Sequence, residues 1–254
     1  MGQLIEYIKQ RVYKENKNFL CCIVGQTGSG KSYASVSLAE QLDPTFNSDR
    51  IVYDFQQFMK VIETAKKGQA IVFDEAGISI SSRSWYSILN KLINYVLQTF
   101  RHKNLIVFFT VPDFSFIDAQ TRKLIHCLME VERIDRKRNS CIIRPLFIQN
   151  NSRSGKLYFK YLRAIVESKL VKIRKIAVKK PSKELLKEYE KSKDKFTKKL
   201  NKEITLDFKA EKKKLVKKKL TCKHCNYQWK PYNYKKKPQV CPECRTRKWN
   251  KDPE

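Results

Sequence analysis

The chain has 254 residues, 41% of them hydrophobic and 31% charged, with a net charge of +29. That is enough apolar material for one α/β domain with an appendage, which excludes a wholly disordered chain. No apolar run reaches the length of a bilayer-spanning helix, and the N-terminus lacks the apolar core of a signal peptide, so a cytoplasmic protein is expected.

Residues 3–13 read as a short helix with Leu4, Ile5, Ile8 and Val12 on one side. Phe19–Val24 is a continuous apolar run ending at Gly25, the pattern of a buried parallel strand. Residues 32–42 carry Ala34, Val36, Leu38, Ala39 and Leu42 as a packed helix stopped by Pro44. A second strand is predicted at 50–54, a helix at 55–67 closed by Gly68, and a third strand at 69–74. A Ser-rich loop, 77–84, leads to an amphipathic helix over 85–100 with Trp85, Ile88, Leu89, Leu92, Ile93, Val96 and Phe100. Residues 104–111 predict a fourth strand ended by Pro112, 117–125 a helix, and 127–134, 140–149 and 156–166 further strands. Strand–helix alternation over 19–111 argues for a parallel sheet with helices on both faces, and 127–166 for antiparallel strands on its edge.

Beyond Pro181 the composition changes. Residues 182–219 are lysine-rich and helical in propensity, with Leu185, Leu186, Tyr189, Phe196, Leu200 and Ile204 near helical spacing. Residues 165–220 hold 21 Lys/Arg against 8 Asp/Glu, and 221–254 hold 9 against 3. A field of that sign attracts polyanions, so nucleic acid is the expected partner; a solvated lysine-rich helix is the plainer alternative. The predicted divisions are 1–166, a domain; 167–220, a basic helical linker; and 221–254, a small module.

Gly25-Gln26-Thr27-Gly28-Ser29-Gly30-Lys31-Ser32 matches the G-x-x-x-x-G-K-[ST] pattern between a predicted strand and a predicted helix. Such glycines let backbone amides wrap phosphates, and the following helix turns its positive end to the same anion. Lys31 would neutralise the β/γ-phosphates of ATP and Ser32 would ligate Mg²⁺, with Tyr33 completing the nucleotide-binding set. Asp74 ends an apolar strand and would hold Mg²⁺ from there. Glu75 follows and could orient and deprotonate an attacking water. Asp74-Glu75-Ala76-Gly77 also fits the D-x-x-G of GTPases, but Asn90-Lys91 continues as Leu92-Ile93, not N-K-x-D. A second helicase domain does not fit the length. Thr110, ending the next strand, could sense the γ-phosphate. Arg101 is the first candidate for a cation supplied to a neighbouring subunit's phosphate, followed by Arg122 and Arg83. The fold class is thus α/β, a P-loop NTPase sheet of the RecA/ASCE-like kind.

Residues 25–32, the run Ile71-Val72-Phe73-Asp74-Glu75, and the segment 101–110 together resemble the FtsK–HerA superfamily of DNA-pumping ATPases, which includes viral packaging ATPases and Zot-like proteins. The resemblance covers about residues 15–165. It implies a DNA-translocating homo-oligomer, a hexameric ring, and a setting that includes the cytoplasm of a virus-infected cell. At the sensor position those families often carry Gln, where this chain has Thr110.

Cys222-x₂-Cys225 and Cys241-x₂-Cys244, fifteen residues apart, form a four-cysteine zinc pattern in the zinc-ribbon range, with Trp229 and Trp249 as packing residues. A closed Cys₄ site is structural, and His224 reads as a solvent-facing loop residue. Lys235–Lys237 and Arg245, Arg247 and Lys248, interleaved with Tyr232, Tyr234 and Trp249, suit phosphate contact and base stacking. Cys21, Cys22, Cys127 and Cys141 read as reduced core residues. Two functions are expected from this pattern: an ATP-hydrolysing motor acting on DNA, or a nucleotide-switched DNA-binding or regulatory protein without translocation. A Zot-like assembly ATPase, with a membrane partner, is a third.

Overall fold

The computed structural model describes residues 1–74, 90, 91, 93, 95, 101–166, 169–216, 219–231 and 238–251. The chain divides into two compact units, Met1–Asp194 and Lys195–Glu254.

The first unit is a mixed α/β sheet with flanking helices. The sheet has nine strands, eight of them in the order β2-β3-β4-β1-β5-β6-β7-β8. Five are mutually parallel: β1 (Phe19–Val24), β2 (Ile51–Val52), β3 (Ala70–Phe73), β4 (Ile106–Val111) and the start of β5 (Cys127–Asp135). β1 is buried along its whole length because it lies between β4 and β5 and is covered on both faces. The faces follow the period-two rule of strands. Leu20, Cys22, Ile71, Phe73, Val107 and Phe109 join one cluster with Phe58 and Ile62 of α3 (Phe55–Thr64). Their alternates Cys21, Ile23, Val72, Ile106 and Phe108 are equally buried and point to the other face, where α2 (Lys31–Leu42) packs on β1, β3 and β4. α1 (Gly2–Lys9) continues as a π-helical turn to Lys14 and packs on α2.

Local chemistry explains the element ends. Asp54 caps α3 by accepting from the Gln57 amide at 2.8 Å, while Gln57 Oε1 accepts from the Tyr53 amide. Gly68 has φ 79°, and a side chain there would meet the Tyr13 ring at 2.4 Å, so the turn into β3 requires glycine.

Three differences from the sequence reading follow β4. β5 is not an antiparallel edge strand: Cys127–Glu130 pairs parallel with β1 in the middle of the sheet, and only then does the chain turn into β6 (Ser140–Asn150). The helix expected at 117–125 is a single turn, α4 (Ala119–Arg122), capped by Asp118 accepting from the Thr121 amide. Residues 169–179, read as linker, form β8 (Lys169–Ile173) and β9 (Ile176–Lys179) after β7 (Leu157–Val166). On the edge away from β5, β6 serves two partners. Its first half, Ser140–Ile143, pairs with β9, and its second half, Leu146–Asn150, with β7. Pro145, which has no amide hydrogen, lies at the changeover.

The last helix, α5 (Lys183–Val216), is the lysine-rich segment. Its residues up to Asp194 belong to the first unit; the second unit holds the rest and a two-stranded antiparallel sheet, β10 (Leu220–Thr221) with β11 (Gln228–Trp229). Among the described residues, no helix is long and apolar enough to cross a membrane.

Candidate nucleotide site and metal centre

β1 runs out at Val24 into the glycine loop, and α2 begins at Lys31 with Gly30 as its N-cap at φ 93°. Gly25 is required by close approach: a side chain there would lie 2.9 Å from Ser29 Oγ and 3.1 Å from Val131 Cβ. The Lys31 ammonium folds over the loop and donates to the carbonyls of Gly25 and Gln26 at 2.7 and 2.8 Å. The Ser29 hydroxyl oxygen is buried inside the loop without a hydrogen-bond partner. A cationic cradle with an orphaned hydroxyl fits an anion-binding loop. Beside Gly30, a cleft of about 340 Å³ opens between Tyr33 and Ala34 of α2 and Ile134, Cys141 and Val178 of β5, β6 and β9.

Asp74 stands at the end of β3, fully buried. β4 is interposed between β1 and β3, and this brings Thr110 to it: Thr110 Oγ1 donates to Asp74 Oδ1 at 2.9 Å. On the other carboxylate oxygen the structure places two residues that the sequence reading did not assign to the site. Tyr189 and Lys193 of α5 donate to Asp74 Oδ2 at 2.7 and 3.2 Å. Lys193 Nζ is also 3.0 Å from the Tyr189 hydroxyl. The Ser32 side chain lies near that hydroxyl and opposes part of its upward shift. Tyr189 thus touches one expected magnesium ligand, Asp74, and lies near the other, Ser32. Burial first, then the Asp74 charge, raises the Tyr189 phenol far above its ordinary value, so it stays protonated and donates. Tyr33 supports the arrangement: its hydroxyl donates to Glu190 at 2.7 Å and its ring meets Tyr189 edge-on at 5.8 Å. Burial and the Glu190 carboxylate push the Tyr33 phenol up to about 12.

Tyr189 was legible only as part of an apolar helical stripe. Its spacing of four from Lys193 put both on one helix face, but nothing local tied that face to Asp74, 115 residues away.

Other expected residues are placed as follows. Glu75 and Arg83, and the zinc-flanking Tyr232, Tyr234 and Lys235–Lys237, lie outside the described residues, as does most of the helix expected at 85–100. Arg101 opens a 3₁₀ turn, and its side chain is likewise outside them. Arg122 is engaged within its own chain: its guanidinium donates to the carbonyls of Ile117 and Ser115 and lies over the Phe114 ring. Cys21, Cys22, Cys127 and Cys141 are buried free thiols.

In the second unit, the sulfurs of Cys222, Cys225, Cys241 and Cys244 all lie within 4.8 Å of one another. Cys222–Cys244 and Cys225–Cys241 are each 3.7 Å apart, close to the tetrahedral edge of about 3.8 Å that zinc–sulfur bonds of ~2.3 Å define. The two halves repeat one backbone device. Asn226 and Arg245, each four residues after its leading cysteine, adopt φ 56° and 55° and donate to the carbonyl of Cys222 or Cys241. The amides of those cysteines donate to Tyr227 and Thr246 in the same relation. Trp249 packs edge-on against Trp229 at 5.1 Å, and its indole donates to Pro238 at 2.9 Å. A donor set of four thiols in this geometry fits a closed structural zinc site. His224 is exposed.

No family model matches the sequence, and a search of curated proteins finds no match. Among solved structures, the chain is similar to the N-terminal domain of zonular occludens toxin from Neisseria meningitidis, at 19% identity and a TM-score of 0.35, over 57% of this chain and 95% of that one.

Proposed function

We propose that the chain is an ATP-hydrolysing P-loop protein that acts on DNA as a translocation- or packaging-type motor, assembled as a homo-oligomeric ring. The observation that carries the reading is the Lys31 cradle over the glycine loop, with Asp74 buried at the end of β3, one strand removed from β1. Bound Mg·ATP supplies a polarised phosphoanhydride. Lys31 and the loop amides bind its phosphates, and Ser32 and Asp74 hold the metal ion. Thr110, bonded to Asp74, fixes that carboxylate and stands where a γ-phosphate could be sensed. Glu75 takes the proton of the attacking water, and Arg101 is the residue offered to a neighbouring subunit. The cleft beside Tyr33 takes the base. Basic residues of α5 and of the zinc module, Arg247 and Lys248 among them, contact nucleic-acid phosphates.

The test is ATP turnover by the full chain with and without double-stranded DNA, single-stranded DNA and RNA, at two salt concentrations. Turnover that DNA stimulates and salt weakens is expected. Glu75→Gln should bind ATP and lose turnover by about 100-fold or more. A protein that takes up no nucleotide, or takes it up equally with Lys31→Ala, overturns the reading. The hold of Tyr189 and Lys193 on Asp74 favours a second reading, a nucleotide-operated switch without translocation. That reading expects slow hydrolysis indifferent to DNA.

A further inference from the structure

Three of the four lone-pair sites of Asp74 are taken by hydrogen-bond donors. Thr110 occupies Oδ1, and Tyr189 with Lys193 uses both lone pairs of Oδ2. The Ser32 side chain lies near the same phenol. A divalent cation needs direct or water-mediated access to these oxygens, and the Lys193 ammonium sits there with a charge of its own. The first turns of α5 are fastened for this purpose at several points. Glu40 accepts from the Ser182 amide at 3.0 Å, Tyr33 donates to Glu190, and Tyr189 is only 2% exposed. Two of these fastenings, those made by Tyr33 and Glu40, belong to α2. Whatever reorders the start of α2 must therefore disturb α5 as well.

We propose that the first turns of α5, through Tyr189 and Lys193, are a built-in plug of the magnesium position: Lys193 stands in for the metal ion, and loading of Mg·nucleotide expels it and frees the start of the basic helix. The inference rests on the nucleotide reading of the site for its trigger, but not for the competition between lysine and metal. A buried carboxylate stabilised by an ammonium binds a divalent ion only after that ammonium leaves, so deleting the competitor must tighten the metal. Nucleotide phosphates would favour the metal over the ammonium, because they would add oxygen ligands that a divalent ion uses better than a monovalent one.

The experiment uses the full, zinc-loaded chain and Mn²⁺ as the probe, followed by the resonance of free Mn²⁺. Lys193→Met keeps the aliphatic stem and removes the charge; it should bind Mn²⁺ about tenfold or more tighter than the wild type. Lys191→Ala, an exposed neighbour on the same helix, makes the same change in net charge and should stay within about twofold. Tyr189→Phe should also tighten Mn²⁺, and Asp74→Asn combined with Lys193→Met should abolish the gain. In a second arm, amide exchange over residues 183–194 is measured with and without saturating Mg·ATP, binding itself being followed by calorimetry. Faster exchange with Mg·ATP is expected, as is faster exchange in Lys193→Met without it. Unchanged or weaker Mn²⁺ binding in Lys193→Met overturns the plug, as does continued protection of 183–194 in a chain saturated with Mg·ATP. If the wild type takes up no ATP while Lys193→Met tightens Mn²⁺, the nucleotide reading fails and the lysine–metal competition stands.

Discussion

Asp43 closes α2 and meets three elements at once. Its Oδ2 accepts from the Ala70 amide at the start of β3 and from Arg50, and its Oδ1 accepts from the Thr45 amide and hydroxyl. Burial alone would raise its pKa; the Ala70 and Thr45 hydrogen bonds and the Arg50 charge outweigh burial and hold the carboxyl below its ordinary range. Both partners of the ion pair are buried, at 4% and 7% exposure, so removing one strands the other. Asp43→Ala should cost about 3–5 kcal/mol in urea unfolding, and Asp43→Ala with Arg50→Met less than the single change. His126 makes a different demand. Its Nδ1 accepts from the Leu20 amide at 2.9 Å, and that nitrogen cannot accept once protonated. Burial first, and Arg11 second, lower its pKa to about 3. The folded value lies below the unfolded one, so this group's contribution is complete above about pH 6.5 and is lost as pH falls toward 3. The loss is about 1.4 kcal/mol for each pH unit in that window. Unfolding midpoints at pH 7 and pH 5.5 should separate accordingly. His126→Asn, an acceptor that does not titrate there, should reduce the separation.

At the scale of elements, the glycine loop and the zinc module behave in opposite ways. The loop is held by a sheet that is stable without it, so damage to it is functional. In Gly25→Ala the new methyl would press on Ser29 Oγ and on Val131, which belongs to β5 and cannot move freely. Nucleotide affinity should drop about tenfold or more, read by calorimetry, with the unfolding midpoint shifted little. The zinc module has the reverse logic. Among the described residues its hydrophobic cluster is Cys222, Cys241 and Trp249, with Leu220 and Trp229 packed against them, too small a core to fold alone. A chelator should therefore unfold it and shift tryptophan emission to the red, while the transition of the first unit persists. These two motifs were legible in the sequence because their chemistry is local: four cysteines or three glycines at fixed spacing need no distant partner. β1, β3 and β4 were legible because they are continuously apolar. β8 and β9 were not, since lysines interrupt these short apolar runs, Arg174 and Lys175 separate them, and the charge read as linker. The parallel pairing of β5 with β1 was equally hidden, because an apolar run does not reveal which way its neighbour points. Tyr189 and Lys193 went unassigned for the plainest reason, that a helix stripe does not name the surface it covers.

For the whole molecule the governing quantity is charge, +29 over 254 residues, with 21 Lys/Arg in residues 165–220. Charge of this size favours any polyanion, so binding alone does not identify a nucleic-acid surface; its salt dependence does. Each phosphate neutralised releases condensed counterions, and the slope of log affinity against log salt counts them, about 0.9 per contact on duplex DNA and about 0.7 on single strands. Arg247 and Lys248 are exposed beside the second cysteine pair, on a turn fixed by Thr246. If that turn lies on the backbone, Arg247→Ala with Lys248→Ala should flatten the slope by about 1–2 units while leaving the zinc module folded. Loss of affinity at one salt concentration would not suffice, because removing two charges anywhere weakens the long-range field. The comparison is with Lys191→Ala and Lys195→Ala together, which change the net charge equally on exposed positions of α5. Equal slopes in the two double variants would assign phosphate contact to the general field and leave the zinc module a different partner. A flatter slope for the Arg247 and Lys248 pair alone would place the module on the nucleic acid.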